Sequence, residues 1–202
     1  MKKFLTAALC FVLTLTLLTA CGSSELDMDL VMGSVSDGVY TNEYAGLTFS
    51  PTSDWSFYDE SELLEMMDIS EDSVDTASKR QNVLSRVQTL YTAMAMDEIG
   101  ANIIFGFENL TLSTDGTTYT SSDYAEALVT QCTESGYTFG DITTIEIGGN
   151  TYYEAVGTIE ESGYNMTQAF LVRRIDDYMC FIIITTIDDY TIAPDEVIAM
   201  LG

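Results

Sequence analysis

No histidine occurs among the 202 residues. That absence excludes Ser-His and Cys-His nucleophilic catalysis and every His-ligated metal mechanism. Bases are also scarce: seven Lys and Arg face 32 Asp and Glu, for a formal charge of −25. A surface this acidic gains nothing from counterion release, so no nucleic acid is expected as a partner. Neither G-x-x-x-x-G-K-[ST] nor G-x-G-x-x-G occurs, which removes the usual phosphate-cradling loops. Hydrophobic residues, by contrast, make up 47% and aromatics 11%, enough for a sizeable core. The length suits one domain, or two small ones at most.

The N-terminus carries the features of an export signal. Lys2 and Lys3 precede Phe4 to Leu18, an uncharged run rich in Leu, Ala, Val and Phe. Such a run is short for a membrane span and typical of a signal h-region. Leu18-Thr19-Ala20-Cys21 follows, then Gly22-Ser23-Ser24. Small residues before a cysteine resemble the lipobox of bacterial lipoprotein precursors. The resemblance implies a diacylglyceryl group on the Cys21 thiol and cleavage before Cys21. Two acyl chains, at ~0.8 kcal/mol per buried methylene, suffice for stable anchoring. The other readings of this segment are an ordinary signal peptide or one uncleaved helix. Removal of 20 residues would leave 182, with five bases facing 32 acids and a formal charge of −27.

Cys10 lies inside the signal and Cys21 carries the expected lipid, so Cys132 and Cys180 are left for the folded part. An exported pair can form a disulfide. Both, however, sit on apolar faces: Cys132 follows Ala125 and Leu128 at helical spacing, and Cys180 lies within Tyr178 to Ile184. Two buried thiols are therefore expected, and two sulfur ligands are too few for structural zinc.

Residues 22–37 are polar and aperiodic and read as a tether. Short strands are expected at Val39-Tyr40 and Leu47 to Phe49, around turn residues Asn42 to Gly46. A helix is expected from Ser61 to Met67, with Ser61 as N-cap, and a looser one over Asp72 to Val87. Leu90 to Met96 is ambiguous. Val83, Val87, Leu90 and Met94 fit a helix, while Leu90, Thr92, Met94 and Met96 fit a strand. Ala101 to Phe107 is a strand. Ser122 to Ser135 is the best helix, capped by Ser121 or Ser122 and ended by Gly136. A meander follows at Thr143–Ile147, Thr151–Ile159, Asn165–Ile175 and Tyr178–Thr186, and Pro194 opens a last helix over Asp195 to Leu201. Several strands are apolar on both faces, which implies a sheet covered on both sides.

Gly38-Val39-Tyr40-Thr41-Asn42-Glu43-Tyr44-Ala45-Gly46-Leu47-Thr48-Phe49, followed by Pro51 and Trp55, resembles the opening of PsbP-like domains in Gram-positive lipoproteins. So do Ser122-Asp123-Tyr124-Ala125, Ile145 to Tyr152, Gln168 and the two-acid turn before Tyr178. The resemblance runs from about Gly38 to Leu201 and favours the strand reading of Leu90–Met96. It implies an α+β fold, an antiparallel sheet of about six to seven strands covered by helices on both faces. The expected organisation is a signal over 1–20, a tether over 21–37 and one domain over 38–202. The family includes a photosystem II extrinsic subunit and a Ran-binding nuclear-import factor. No functional residue carries over from either.

No catalytic, cofactor or metal-ligating residue is assigned from the sequence; Cys21 is the one site residue. Acids crowd from Asp54 to Asp75 without a base, and Asp176-Asp177 and Asp188-Asp189 are further pairs, each before a tyrosine. Hard cations want several carboxylates, but no EF-hand spacing exists, so a solvated face is expected. Met94 and Met96 share a strand face and read as core rather than a soft-metal site. Trp55, Phe57 and Tyr58 read as core edge rather than a sugar platform. The expected function is a membrane-anchored, non-enzymatic interaction module on the extracytoplasmic face that binds an envelope protein or another envelope component. The alternative is a lipoprotein binding a small solute or a divalent cation.

Overall fold

A computed structural model of the chain describes residues 26–113 and 115–202. Its first element is a helix, α1 (Met28–Met32), whose N-cap Asp27 accepts from the Asp29 N–H. Met28, Val31 and Met32 are buried. The stretch expected as a tether over 21–37 is therefore structured from Met28 through Ser36, so the domain includes residues ahead of Gly38. The Ser, Gly and Asp content of this stretch masked an apolar i, i+3, i+4 face. Next, β1 (Ser34–Ser36) pairs antiparallel with β2 (Val39–Asn42). Asp37 and Gly38 join them, both with positive φ, 52° and 74°. Asp-Gly is a strong two-residue hairpin signal, and it lay at the assumed domain boundary. A third strand, β3 (Leu47–Phe49), completes a small sheet. Gly202 extends it by exchanging backbone hydrogen bonds of 2.7 and 2.9 Å with Thr48.

The remaining elements are β4 (Trp55–Phe57), α2 (Glu60–Met66), α3 (Ala77–Leu84), β5 (Thr89–Asp97), β6 (Asn102–Asn109), α4 (Ser121–Glu134), β7 (Thr138–Phe139), β8 (Thr143–Ile147), β9 (Asn150–Glu161), β10 (Tyr164–Ile175), β11 (Tyr178–Ile187) and α5 (Pro194–Ile198). The main sheet has eight strands in the order β4-β5-β6-β11-β10-β9-β7, with β8 also on β9. The fold is α+β and its strand pairs are antiparallel. Six to seven strands were expected; eight form the main sheet and three the small one. The extra ones were hidden because β4 and β7 have three and two residues, too few to show a period. Thr120 caps α4 in a capping box with Asp123, one residue ahead of the expected Ser121 or Ser122. Likewise Asp59, not Ser61, caps α2. The stretch expected to be a loose helix over Asp72 to Val87 splits into a 3₁₀ turn at Glu71–Ser73 and α3.

The strand ladder resolves the ambiguity at Leu90–Met96. Register shifts between Tyr91 and Ala93, so Thr92 is the extra residue of a bulge. Leu90 and Ala93 then face one core, and Met94 faces the other. A plain period of two would have put Leu90 and Met94 on the same side. Each sheet face has its own apolar cluster. One joins Phe105, Leu171 and Ile182 to Met28, Phe49 and Val197. The other joins Phe170, Phe181 and Ile183 to Leu63, Tyr124 and Leu128. This is why β11 is buried along nine of its ten residues.

The sheet has two poles. At one, Gln81 donates to Leu26 O (2.6 Å) and accepts from Met28 N–H (3.0 Å). Here Met28 Sδ lies 4.0 Å from Tyr178 Oη, at the start of β11. The chain thus enters the fold beside the β10–β11 turn. The opposite pole carries the β5–β6 turn, the β9–β10 turn and the end of β11. A strand of 12 residues, such as β10, separates the poles by roughly 40 Å.

Candidate functional site

Cys21, the site residue expected from the sequence, lies outside the described residues. Four of the acids of 54–75 are tied into a helix cap and ion pairs. Asp59 accepts from Glu62 N–H (3.0 Å) and the Ser61 hydroxyl (2.7 Å), and Glu62 reaches back to Asp59 N–H (2.9 Å). The Ser61 hydroxyl, with that backbone N–H, holds the Asp59 carboxyl below its ordinary range. Lys79 pairs with Asp75 at 2.8 Å. Arg80 pairs with Glu60 and, at 2.6 Å, with Asp29. Among the described residues no group of three or more acidic or thiol side chains could hold a metal ion. Of the other acidic pairs, Asp176 turns the β10–β11 hairpin with φ 49°. Asp188 accepts from the Thr167 hydroxyl at 2.9 Å. Trp55 is buried and packs edge-on to Phe49, centroids 5.6 Å apart. That contact explains why it forms core edge and not a sugar platform.

Cys132 and Cys180 form no disulfide and are buried on opposite faces of the sheet. Burial pushes the Cys180 thiol up to about 12, offset in part by Arg173 and Tyr152. A maleimide should therefore label neither in the native protein and both after denaturation without reductant. Labelling that waits for reductant would show a bridge instead.

Two buried polar assemblies escaped the sequence reading. Glu108, 5% exposed, accepts from the Tyr124 phenol at 2.5 Å, with Gln88 Nε2 and Ser113 Oγ each 3.5 Å from its other oxygen. Burial first, and this carboxylate second, hold the Tyr124 phenol well above its ordinary range. The phenol is thus a fixed donor, and the pair ties α4 to β6. On the other face, Arg173 donates to Ala45 O at 2.6 Å, and its guanidinium carbon lies 5.2 Å from the Tyr152 ring centroid. The Tyr152 phenol lies against the Cys180 thiol and is pushed up, chiefly by burial. Arg173 and Glu108 read as polar exceptions in apolar strands; that signal was present but did not name their partners.

The far pole differs from both. Asp97, buried, accepts from the N–H groups of Ile99 (2.9 Å), Gly100 (2.6 Å) and Ala101 (2.8 Å). This holds the β5–β6 turn rigid and presents Ile99 at 64% exposure. At the same pole, where Gly100 stands against Ile187, Tyr190 is 62% exposed, and its ring meets that of Tyr164 edge-on at 5.6 Å. Thr191 Oγ1 accepts from Ile187 N–H (2.8 Å), and Asp188 N–H donates to Asn165 O (2.9 Å), so this corner is held as well. Chain segments 97–101, 160–165 and 187–192 carry six acids here and no base. These residues are far apart in sequence and lie in turns, where periodicity carries no information.

No family model matches the chain, and no curated protein matches it. Three solved structures are similar at 12% identity. One is PA94 from Pseudomonas aeruginosa, a protein of unknown function, with a TM-score of 0.35 over 43% of this chain and 58% of that one. Another, from Bacteroides thetaiotaomicron, has a TM-score of 0.41 over 79% of this chain and 45% of that one. The third is LpqN of Mycobacterium tuberculosis, involved in cell envelope biogenesis, with a TM-score of 0.34 over 71% of this chain and 72% of that one. The chain spans only 58% and 45% of the length of the first two. These likenesses are too distant to set a role.

Proposed function

We propose that the chain is an exported lipoprotein, anchored through acyl chains on Cys21 to the extracytoplasmic face of the cell membrane. In this reading its folded part is a non-enzymatic binding module for an envelope protein. The observation that carries the reading is the N-terminal string: two lysines, a 15-residue apolar run and Leu18-Thr19-Ala20-Cys21. The position of Leu26 supports it. Leu26 is clamped by Gln81 only five residues after Cys21, at most ~18 Å of extended chain. An anchored domain would sit directly on the bilayer by its entry pole, with the opposite pole outermost. We assign the architecture to the PsbP-like sandwich, supported by α1 and α5 on one face of the sheet and α2 and α4 on the other. The exposed patch at the far pole supports a binding role. The alternative, solute or divalent-cation binding, rests on acidity alone, and of the acids of 54–75 Asp59, Glu60, Glu62 and Asp75 are held in a capping box and ion pairs.

Among the described residues no helix is long and apolar enough to cross a membrane. The test is Cys21→Ala, read by membrane fractionation and metabolic acyl labelling. The variant should persist as unprocessed precursor or be shed, and should take up no label. A variant still cut after Ala20 and retained in the membrane would overturn the anchoring.

A further inference from the structure

We infer that the pole formed by Ile99, Tyr164 and Tyr190 is a docking surface for a basic protein segment that carries aromatic or aliphatic side chains between its Lys or Arg residues. The inference deepens the binding-module reading by naming the partner's chemistry.

Three observations converge. Three of the six large apolar side chains exposed among the described residues lie at turns of this pole, including the two most exposed: Ile99 and Tyr190 are more than 60% exposed, and Tyr164 stands against Tyr190. Exposed large apolar side chains gathered at one end of a fold mark interaction sites, and Tyr is favoured there because it offers large area at low entropy cost. The patch is also built. Three backbone N–H groups converge on Asp97, and the Ile187–Thr191 and Asp188–Asn165 hydrogen bonds fix the second wall. Little ordering is then lost on binding.

Charge decides what fits. Glu98, Glu160, Glu161, Asp188 and Asp189 stand at or beside this pole with no Lys or Arg among them. All five bases outside the N-terminal signal lie elsewhere. Arg173 and Arg174 end β10 beside the entry pole, Arg86 precedes β5 there, and Lys79 and Arg80 lie on α3. An acidic or neutral partner would lose carboxylate hydration here without compensation. A guanidinium or ammonium partner gains steering, rim pairing and stacking on the exposed tyrosine rings. A second copy of this chain, equally acidic at this pole, is disfavoured by the same charge.

The test uses the full processed protein in zwitterionic nanodiscs, with empty discs as blank. The probe is a fluorescein-labelled peptide of four Arg-Tyr repeats, with Glu-Tyr and Ser-Tyr repeats as controls, read by anisotropy. Saturable binding of the Arg-Tyr peptide is expected, about tenfold tighter than either control. Ile99→Ser with Tyr190→Ala should weaken it about tenfold at unchanged melting temperature, since both side chains are exposed. Added salt should weaken it as well. Equal binding of the Ser-Tyr peptide, or full binding by the double variant, overturns the inference. Failure of the protein to co-elute with discs would count against the anchoring alone. The titration is then run on the protein in solution, where the same outcomes decide.

Discussion

Asn42→Ala is expected to lower the unfolding free energy by about 3–5 kcal/mol, because it strands several buried polar groups at once. Asn42 is 1% exposed. Its amide donates to Val31 O and to the Tyr40 phenol oxygen, both at 2.8 Å, and its carbonyl accepts from Ala45 N–H at 2.8 Å. Tyr40 in turn meets the Thr92 hydroxyl at 2.7 Å, on the β5 bulge. Burial raises the Tyr40 phenol above its ordinary range, so it stays protonated and hydrogen-bonding at any working pH. This chain links α1, the small sheet and the main sheet. Its loss should loosen the first turn of the fold as a unit, seen as early hydrogen exchange across residues 28–49. Asn42→Asp separates the contributions. It keeps an acceptor for Ala45 N–H but places a carboxylate against Val31 O. Burial would raise that carboxyl in the folded state, so the variant should lose further stability as pH rises above about 4. Urea melts at two pH values check this, and a change below about 1 kcal/mol for Asn42→Ala would show that the network is not a stabilising hub.

Gly106→Ala should cost about 2–3 kcal/mol, a fall in melting temperature of roughly 5–10 °C, although its backbone suits any residue. Gly106 lies in β6 opposite Phe181 of β11. An added Cβ would stand 2.8 Å from Phe181 Cε2 and closer still to Phe181 Cζ and the Leu90 carbonyl oxygen. The Phe181 ring fills the space that a side chain would take, and it also packs edge-on to Tyr91 at 6.2 Å. Phe181→Leu on the Gly106→Ala background should recover only part of the loss. It relieves the ring, while the Leu90 carbonyl, fixed by the adjacent bulge, cannot move away. Thermal melts of the two single variants and the double variant measure the coupling. Full additivity would mean that ring and glycine do not share the space.

Local patterns in the sequence determined much of the architecture. Turn residues at Gly148-Gly149-Asn150, Glu161-Ser162-Gly163 and Asp176-Asp177 placed the last four strands of the sheet to within a few residues. Runs apolar on both faces, such as Tyr178 to Ile184, pointed to a strand buried on both sides, and β11 is buried along nine of its ten residues. The α4 helix was legible from its Tyr124, Leu128 and Cys132 stripe, with its caps each displaced by one residue. These features depend only on near neighbours in the chain. What tertiary structure alone decided depends on contacts across long separations. Met28, Val31 and Met32 joined the core where Gln81, more than fifty residues away, binds the backbone on either side of Asp27. The Thr92 bulge broke the period of β5 because the Tyr40 phenol waits opposite it. Cys132 and Cys180 were set apart by the sheet between them, which no spacing in the sequence encodes. Ile99, Tyr164 and Tyr190 met at one pole because antiparallel strands return their turns to the same end, bringing together residues that local physics leaves independent.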